Sequence, residues 1–131
     1  MTHEAFVALV EEIGFSPVPE RFRHLLKNVA LTVEDEPDYE VRAEFGLDED
    51  AGDTLLGLYQ GVPHTERGVD YGLALPDKII IYRLPTLDAA EEDRIPVRQV
   101  IEDTIWHEVA HHFGLSEDDV ERRERERGVR S

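Results

Sequence analysis

The chain has 131 residues, which suits one domain over 1–131 whose core needs no disulfide to be stable. It has no cysteine, which excludes disulfides and thiolate metal ligands and fits a reducing, cytoplasmic compartment. Its formal net charge of −16 disfavours nucleic acids and anionic membranes as partners, and no apolar run approaches the about 20 residues that span a bilayer.

The first part of the chain predicts two helices followed by a strand. Residues 4–13 place apolar side chains at helical spacing, and Gly14 follows as a helix stop. Acids interrupt this run and no basic leader precedes it, so no secretory signal peptide is expected. Pro19 opens a second predicted helix. Within residues 28–36 apolar side chains recur at every second position, which predicts a strand.

An acidic stretch follows, in which ten acids between Glu34 and Asp53 are accompanied by one basic residue, Arg42. Such a charge run predicts a solvated loop. Apolar side chains alternate from Tyr39 to Phe45, and the local structure there stays undecided. No EF-hand spacing is present, which argues against a calcium site.

Two strands are predicted in the middle of the chain. Residues 54–62 form a short apolar run with Gly57 inside it, and such a glycine marks a bulge or the close approach of another backbone. Residues 77–84, DKIIIYRL, contain three consecutive isoleucines and give the strongest strand prediction. This continuous apolar run predicts burial on both faces.

A helix is predicted from Pro96 onward. Apolar residues recur four apart from Val97 to Val109, and further apolar residues cover other sides, which predicts a buried helix. Gly114 ends it, because glycine readily adopts a positive φ. Ser116 then caps a second, solvated helix.

The buried helix carries the pattern HExxH. His107 and His111 are four residues apart, so both imidazoles lie on one face and can bind one zinc ion at about 2.0–2.1 Å. Zinc lowers the pKa of a bound water toward about 7. Glu108 borders the same face, where it can take the proton of that water during attack on a carbonyl and pass it to the leaving amine.

A catalytic zinc site has three protein ligands. Gly114 lets the chain turn back, and the spacing HExxHxxGxxE predicts Glu117 as the third ligand. Asp118 is the alternative, because an acid at Glu117 is also favoured by the first turn of a helix. We expect the remaining histidines not to bind the metal: His3, His24, His64 and His112. Residue type alone nominates four groups that could stabilise an oxyanion: Tyr59, Tyr71, Tyr82 and His64.

The segments VALTVEDEP, LLGLYQGVPHTER, LPDKIIIYR and IWHEVAHHFGLSEDD, in this order, resemble the minimal zincin-like metallopeptidases, a family of small, acidic, mostly bacterial proteins. The resemblance implies an α+β fold in which a small mixed sheet packs on helices, with a buried HExxH active-site helix. It implies one zinc ion per chain, held by His107, His111 and Glu117, and a catalytic role for Glu108. It also implies that residues 55–61 form an edge strand that pairs with an extended peptide.

We therefore expect a zinc-dependent metallopeptidase that acts on peptides or unstructured proteins, with the oligomeric state left open. The sequence departs from the metzincins, because its only methionine is Met1 and no methionine turn can form. Few residues follow the motif, so a shallow substrate cleft is expected. One alternative is a zinc-binding regulatory module without turnover. The other is an acidic interaction protein whose histidines bind no metal.

Overall fold

A computed structural model describes residues 1–44, 55–61 and 76–115 of the chain. Helices and strands alternate irregularly through these segments, which makes the fold α+β, as expected. In chain order the elements are α1 (His3–Ile13), a 3₁₀ helix (Glu20–Leu26), β1 (Val29–Glu34), α2 (Tyr39–Glu44), β2 (Gly57–Gln60), β3 (Asp77–Tyr82), α3 (Arg83–Asp93) and α4 (Val97–His112).

The three strands form one mixed sheet in the order β1-β3-β2. β1 pairs with β3 in parallel, and β2 pairs with β3 antiparallel. Among the described strands β2 therefore lies at one edge of the sheet, the position that the family resemblance implies for residues 55–61. The last four residues of β3, from Ile79 to Tyr82, are each at most 2% exposed. The predicted burial of this strand on both faces is therefore confirmed.

The hydrophobic core lies between α1, α4 and one face of the sheet. α1 contributes a stripe of buried side chains at helical spacing, namely Phe6, Val10 and Ile13. They join a cluster with buried side chains of β3 and α4, which are Ile79, Ile81, Ile101, Ile105, Trp106, Val109 and Ala110. Because apolar burial stabilises by about 25 cal/mol per Å², this cluster holds α4 firmly against the sheet.

One prediction about the first part of the chain needs correction, and the structure also shows the conformation of the piece that the sequence leaves undecided. Pro19 precedes a 3₁₀ helix, Glu20–Leu26, and not an α-helix. Part of the acidic stretch is helical, since Tyr39–Glu44 forms α2. The Asp38 carboxylate accepts a hydrogen bond of 2.9 Å from the backbone N–H of Val41, which satisfies a donor that the first turn of a helix leaves unpaired.

The strand predicted over residues 77–84 ends two residues early, because α3 starts directly at Arg83. Pro85 suits the first turn of a helix, where no backbone N–H is required. Only Thr86 and Ala90 of α3 are buried, so its sequence shows no apolar period. The helix ends where Arg94 adopts a left-handed conformation with φ 56°.

α4 occupies the predicted position. The sequence predicts Pro96 as the first helical residue, but Pro96 is the N-cap and the helix begins at Val97. It ends at His112. Gly114 follows with φ 61°, as the helix stop requires. The further helix predicted from Ser116 lies outside the described residues. Within the described segments, no helix combines the length and the apolar character needed to cross a bilayer.

Candidate metal centre

α4 brings the two predicted histidine ligands together. Seven of its side chains point into the protein, while His107 and His111 are exposed on another side. Their ring centroids are 5.8 Å apart, and the ring planes are inclined by 32°. Imidazoles in this arrangement can direct one nitrogen each at a common ion about 2.0–2.1 Å away. These two residues therefore fit a shared zinc ion.

The two residues predicted as third ligand lie in a part of the chain that the structure does not describe. Both candidates, Glu117 and Asp118, fall within residues 116–131. Among residues 1–44, 55–61 and 76–115, no group of three His, Asp or Glu side chains is placed to hold a metal ion. The described part of the site is the histidine pair and its surroundings.

Glu108 lies beside this pair and contacts the edge of the sheet. The backbone N–H of Tyr59 in β2 donates a hydrogen bond to its half-buried carboxylate. Burial raises the pKa of the Glu108 carboxyl, while the charge of His111 and the Tyr59 N–H act in the opposite direction. A carboxyl whose pKa is raised holds a proton more readily, which suits a group that accepts and returns one.

The pairing of β2 explains why the Tyr59 N–H is available. The N–H of Tyr82 donates to the carbonyl of Leu56, so this pair is hydrogen-bonded. In an antiparallel ladder such pairs alternate along the strand. Leu58 therefore also bonds to β3, whereas Gly57 and Tyr59 direct their backbone groups away from β3.

Gly57 sets the distance between β2 and α4. A Cβ atom at this position would lie 2.6 Å from Cγ2 of Thr104 and 3.1 Å from the carbonyl oxygen of Ile80. Thr104 is buried, and its hydroxyl donates a hydrogen bond of 2.8 Å to the carbonyl of Val100. The glycine therefore marks a close approach, as predicted, although the neighbour is chiefly a helix side chain.

On the other side of the site, His112 packs against β2. Its ring stacks on Tyr59, with 3.6 Å between centroids and an interplanar angle of 11°. Phe113 contacts the same tyrosine edge-on, and the Tyr59 hydroxyl donates to Asp77 at 2.8 Å. These contacts fix the strand over the end of α4. His112 is thus a packing residue in this structure.

The oxyanion candidates differ in their surroundings. The Tyr59 hydroxyl donates to Asp77, and the Tyr82 hydroxyl is fully buried and has no hydrogen-bond partner among the described residues. Burial, with a smaller effect from nearby acids, raises the pKa of Tyr82 to about 12. Tyr71 and His64 lie outside the described residues.

A pocket of about 250 Å³ opens beside His107 and Glu108. It lies between the start of β2, the end of α3 and the middle of α4. Apolar side chains form much of its lining, namely Leu55, Leu56, Ala89, Ile95 and Val100, and Asp93 and Asp103 add two carboxylates. Sequence reasoning missed this pocket, because its walls combine the start of β2 with two helices, α3 and α4, that come much later in the chain.

Comparison with known proteins agrees with this arrangement. The family of zincin-like metallopeptidases matches residues 26–127, a segment that contains all three strands and the HExxH helix. No curated protein matches the chain. The match extends over well more than half of the sequence, and the chain belongs to the zincin-like metallopeptidase family.

Proposed function

We propose that this protein is a zinc-dependent peptidase, formed by one domain over 1–131, that hydrolyses peptide bonds in peptides or unstructured proteins. The observation that supports it best is the exposed pair of His107 and His111 with Glu108 beside it at the edge of a sheet. Family membership supports the same class of reaction.

Each residue of the site has a separate role in this proposal. His107 and His111, together with Glu117 as third ligand, hold one zinc ion per chain. When bound, zinc supplies a Lewis acid that polarises the peptide carbonyl and activates water. Glu108 takes the proton of the attacking water and passes it to the nitrogen of the leaving amine. Its partial burial and raised pKa support this exchange.

The substrate backbone is proposed to pair with β2. Gly57 and Tyr59 direct backbone groups to the side of this strand that faces away from β3, where the described residues include no further strand. An extended peptide that bonds there becomes a further strand of the sheet and crosses the face of α4 that carries His107. An unstructured chain meets this requirement most easily, because its backbone groups are not yet paired.

A second candidate is a zinc-binding regulatory module without turnover. The hydrogen bond between Glu108 and the Tyr59 N–H favours it, because this contact occupies both the carboxylate and a donor at the strand edge. For peptide cleavage the contact has to loosen when a substrate binds.

Metal analysis and one substitution test the proposal. We expect native protein to contain one zinc ion per chain and to cleave an unstructured protein. Glu108→Gln should retain the zinc and lose turnover by about 10²–10⁴-fold, the usual contribution of a positioned proton-transfer group. Zinc without cleavage in the native protein would favour the regulatory module. Protein without zinc would contradict both candidates, and turnover unchanged by the substitution would remove Glu108 from the mechanism.

A further inference from the structure

We propose that the pocket beside His107 and Glu108 binds an arginine or lysine side chain of the substrate. The proposal rests on the proposed peptidase function, since it assigns the pocket to the residue that follows the cleaved peptide bond. Cleavage would then occur on the amino side of basic residues.

The position of the pocket places its occupant next to the reacting bond. Its lining includes His107 and Glu108 of the candidate metal centre and reaches Gly57 at the edge strand. A peptide paired with β2 therefore has one side chain directly over this pocket.

The direction of the peptide decides which side chain enters. The pocket contacts Leu55, Leu56 and Gly57, at the start of β2. Antiparallel pairing is more stable per residue than parallel pairing. An antiparallel peptide runs from Gln60 toward Leu55, so the pocket receives a residue on the carboxyl side of the cleaved bond.

The charges that line the pocket favour a cation. Asp93 and Asp103 both contribute to the lining, Glu108 lies at one end, and no lysine or arginine is present among the described lining residues. Asp93 is exposed, which places one carboxylate where the pocket meets solvent. A cationic group there gains attraction while it keeps part of its hydration.

The end of α3 strengthens this negative potential at a cost to the helix. Its last turn contains Glu91, Glu92 and Asp93 and no basic residue. The carboxyl end of a helix already carries partial negative charge, so acids there are unfavourable for folding. A local pattern that opposes folding is expected at functional sites. Attraction of a cationic ligand therefore accounts for this acidic turn, whereas helix stability does not.

The shape and polarity of the pocket match a long side chain. The lining that contains the carboxylates also includes apolar surface from Leu55, Ala89, Ile95 and Val100. Arginine and lysine bury their methylene stems along such surface and keep the charged end near water. A short acidic side chain would meet both the apolar wall and the repulsion of Asp93.

Binding of matched peptides to the Glu108→Gln protein tests this proposal without turnover. Short capped peptides that differ at one position, carrying arginine, its uncharged analogue citrulline or glutamate, are titrated by calorimetry with and without added zinc. We expect arginine to bind about tenfold more tightly than citrulline, and glutamate to bind more weakly than both. Added salt should reduce the difference in affinity between the arginine and citrulline peptides, because the carboxylates that line the pocket are partly exposed.

Variants of α3 separate the pocket from the overall negative charge. Asp93→Asn should reduce the preference for arginine over citrulline at least threefold, since it removes a lining carboxylate. Asp88→Asn is the control, because Asp88 is exposed on the same helix, lies outside the lining and changes the net charge equally. Equal effects of the two variants would overturn the proposal, as would equal binding of arginine and citrulline.

Fragment masses from digestion by the wild-type protein test the direction. Basic residues at the new amino ends support the assignment, and basic residues at the new carboxyl ends overturn it. Charge-selective binding without cleavage would leave the pocket in place and contradict only the proposed peptidase activity. Cleavage without any preference for basic residues would contradict the pocket and leave the peptidase activity standing.

Discussion

Gly57 and Thr104 approach so closely that a Cβ atom on the strand residue would lie 2.6 Å from the Cγ2 of the helix residue. Thr104 is buried and hydrogen-bonded to Val100, so it has little freedom to withdraw. The separation between β2 and α4 therefore depends on the missing side chain at Gly57. The Glu108 carboxylate sits in this gap, bonded to the strand.

Gly57→Ala is expected to destabilise the protein by about 1–3 kcal/mol, the usual cost of overpacking, and to lower peptidase activity by displacing β2. Thr104→Ser removes the clashing methyl group and keeps the hydroxyl, so the double variant should recover most of both losses. Gly61→Ala is the control, since its Cβ would meet nothing closer than 3.7 Å. Urea unfolding and initial rates measure the effects. A double variant as impaired as Gly57→Ala would contradict this account.

The ion pairs of Asp35 should give the fold a modest sensitivity to acid, because they are exposed and screened by solvent. Hydrogen bonds from Arg83 at 2.8 Å and His3 at 3.0 Å lower the pKa of its carboxyl to about 2. A depressed pKa contributes stability above the unfolded value of about 3.9, and this contribution is lost as the pH falls through about 2. Asp35→Asn should therefore unfold at lower urea than wild type at pH 7 and match it near pH 2. Asp88→Asn should show no such convergence.

Ionisation of Tyr82 should lower the stability of the fold at high pH. Because its pKa is raised to about 12, its buried neutral form contributes stability below the ordinary value of about 10, which is lost as the pH rises toward 12. Tyr82→Phe removes a buried hydroxyl without a partner, so it should be neutral or stabilising by up to about 1 kcal/mol at pH 7. It should also resist unfolding at pH 11 better than wild type does.

Turnover of the same variant tests the oxyanion assignment. Tyr82→Phe should cleave peptides at the wild-type rate, since the Tyr82 side chain is fully buried whereas His107 and His111 are exposed. Tyr59→Phe is the comparison. It loses the bond to Asp77 and should cost about 1 kcal/mol of stability. A large loss of activity in Tyr82→Phe, with stability intact, would restore Tyr82 as a candidate.

Substitution of the two acids after Gly114 identifies the third zinc ligand. We expect Glu117→Ala to weaken zinc binding by more than about tenfold, since loss of supporting groups alone costs 10–100-fold. Asp118→Ala should have a smaller effect. Competition with a chelator of known affinity measures both. The reverse order of effects would transfer the ligand role to Asp118.

The sequence predicts those elements of the fold that bury a regular stripe. α1, β1, β3 and α4 all pack such a stripe against the core, and burial imposes its period on their sequences. α3 has no such period, because Thr86 and Ala90 are its only buried side chains. The junction at Arg83 carries no turn residue, so the end of β3 could not be located from local pattern.

The same distinction applies to the site. His107 and His111 share a face because helix geometry is local, and their proximity is predictable from spacing alone. The contact of Glu108 with Tyr59 and the walls of the pocket depend on packing between elements distant in sequence. The ligand role of Glu117 stays a prediction.

The short length of β2 also affects the tendency of the protein to self-associate at high concentration. An exposed sheet edge is a template on which other chains can stack, and short edge strands limit that hazard. β2 has four residues, of which two point their backbone groups outward, and Glu108 already occupies the Tyr59 donor. The carboxylate thus also shields the edge, so its removal should make the protein more prone to self-association.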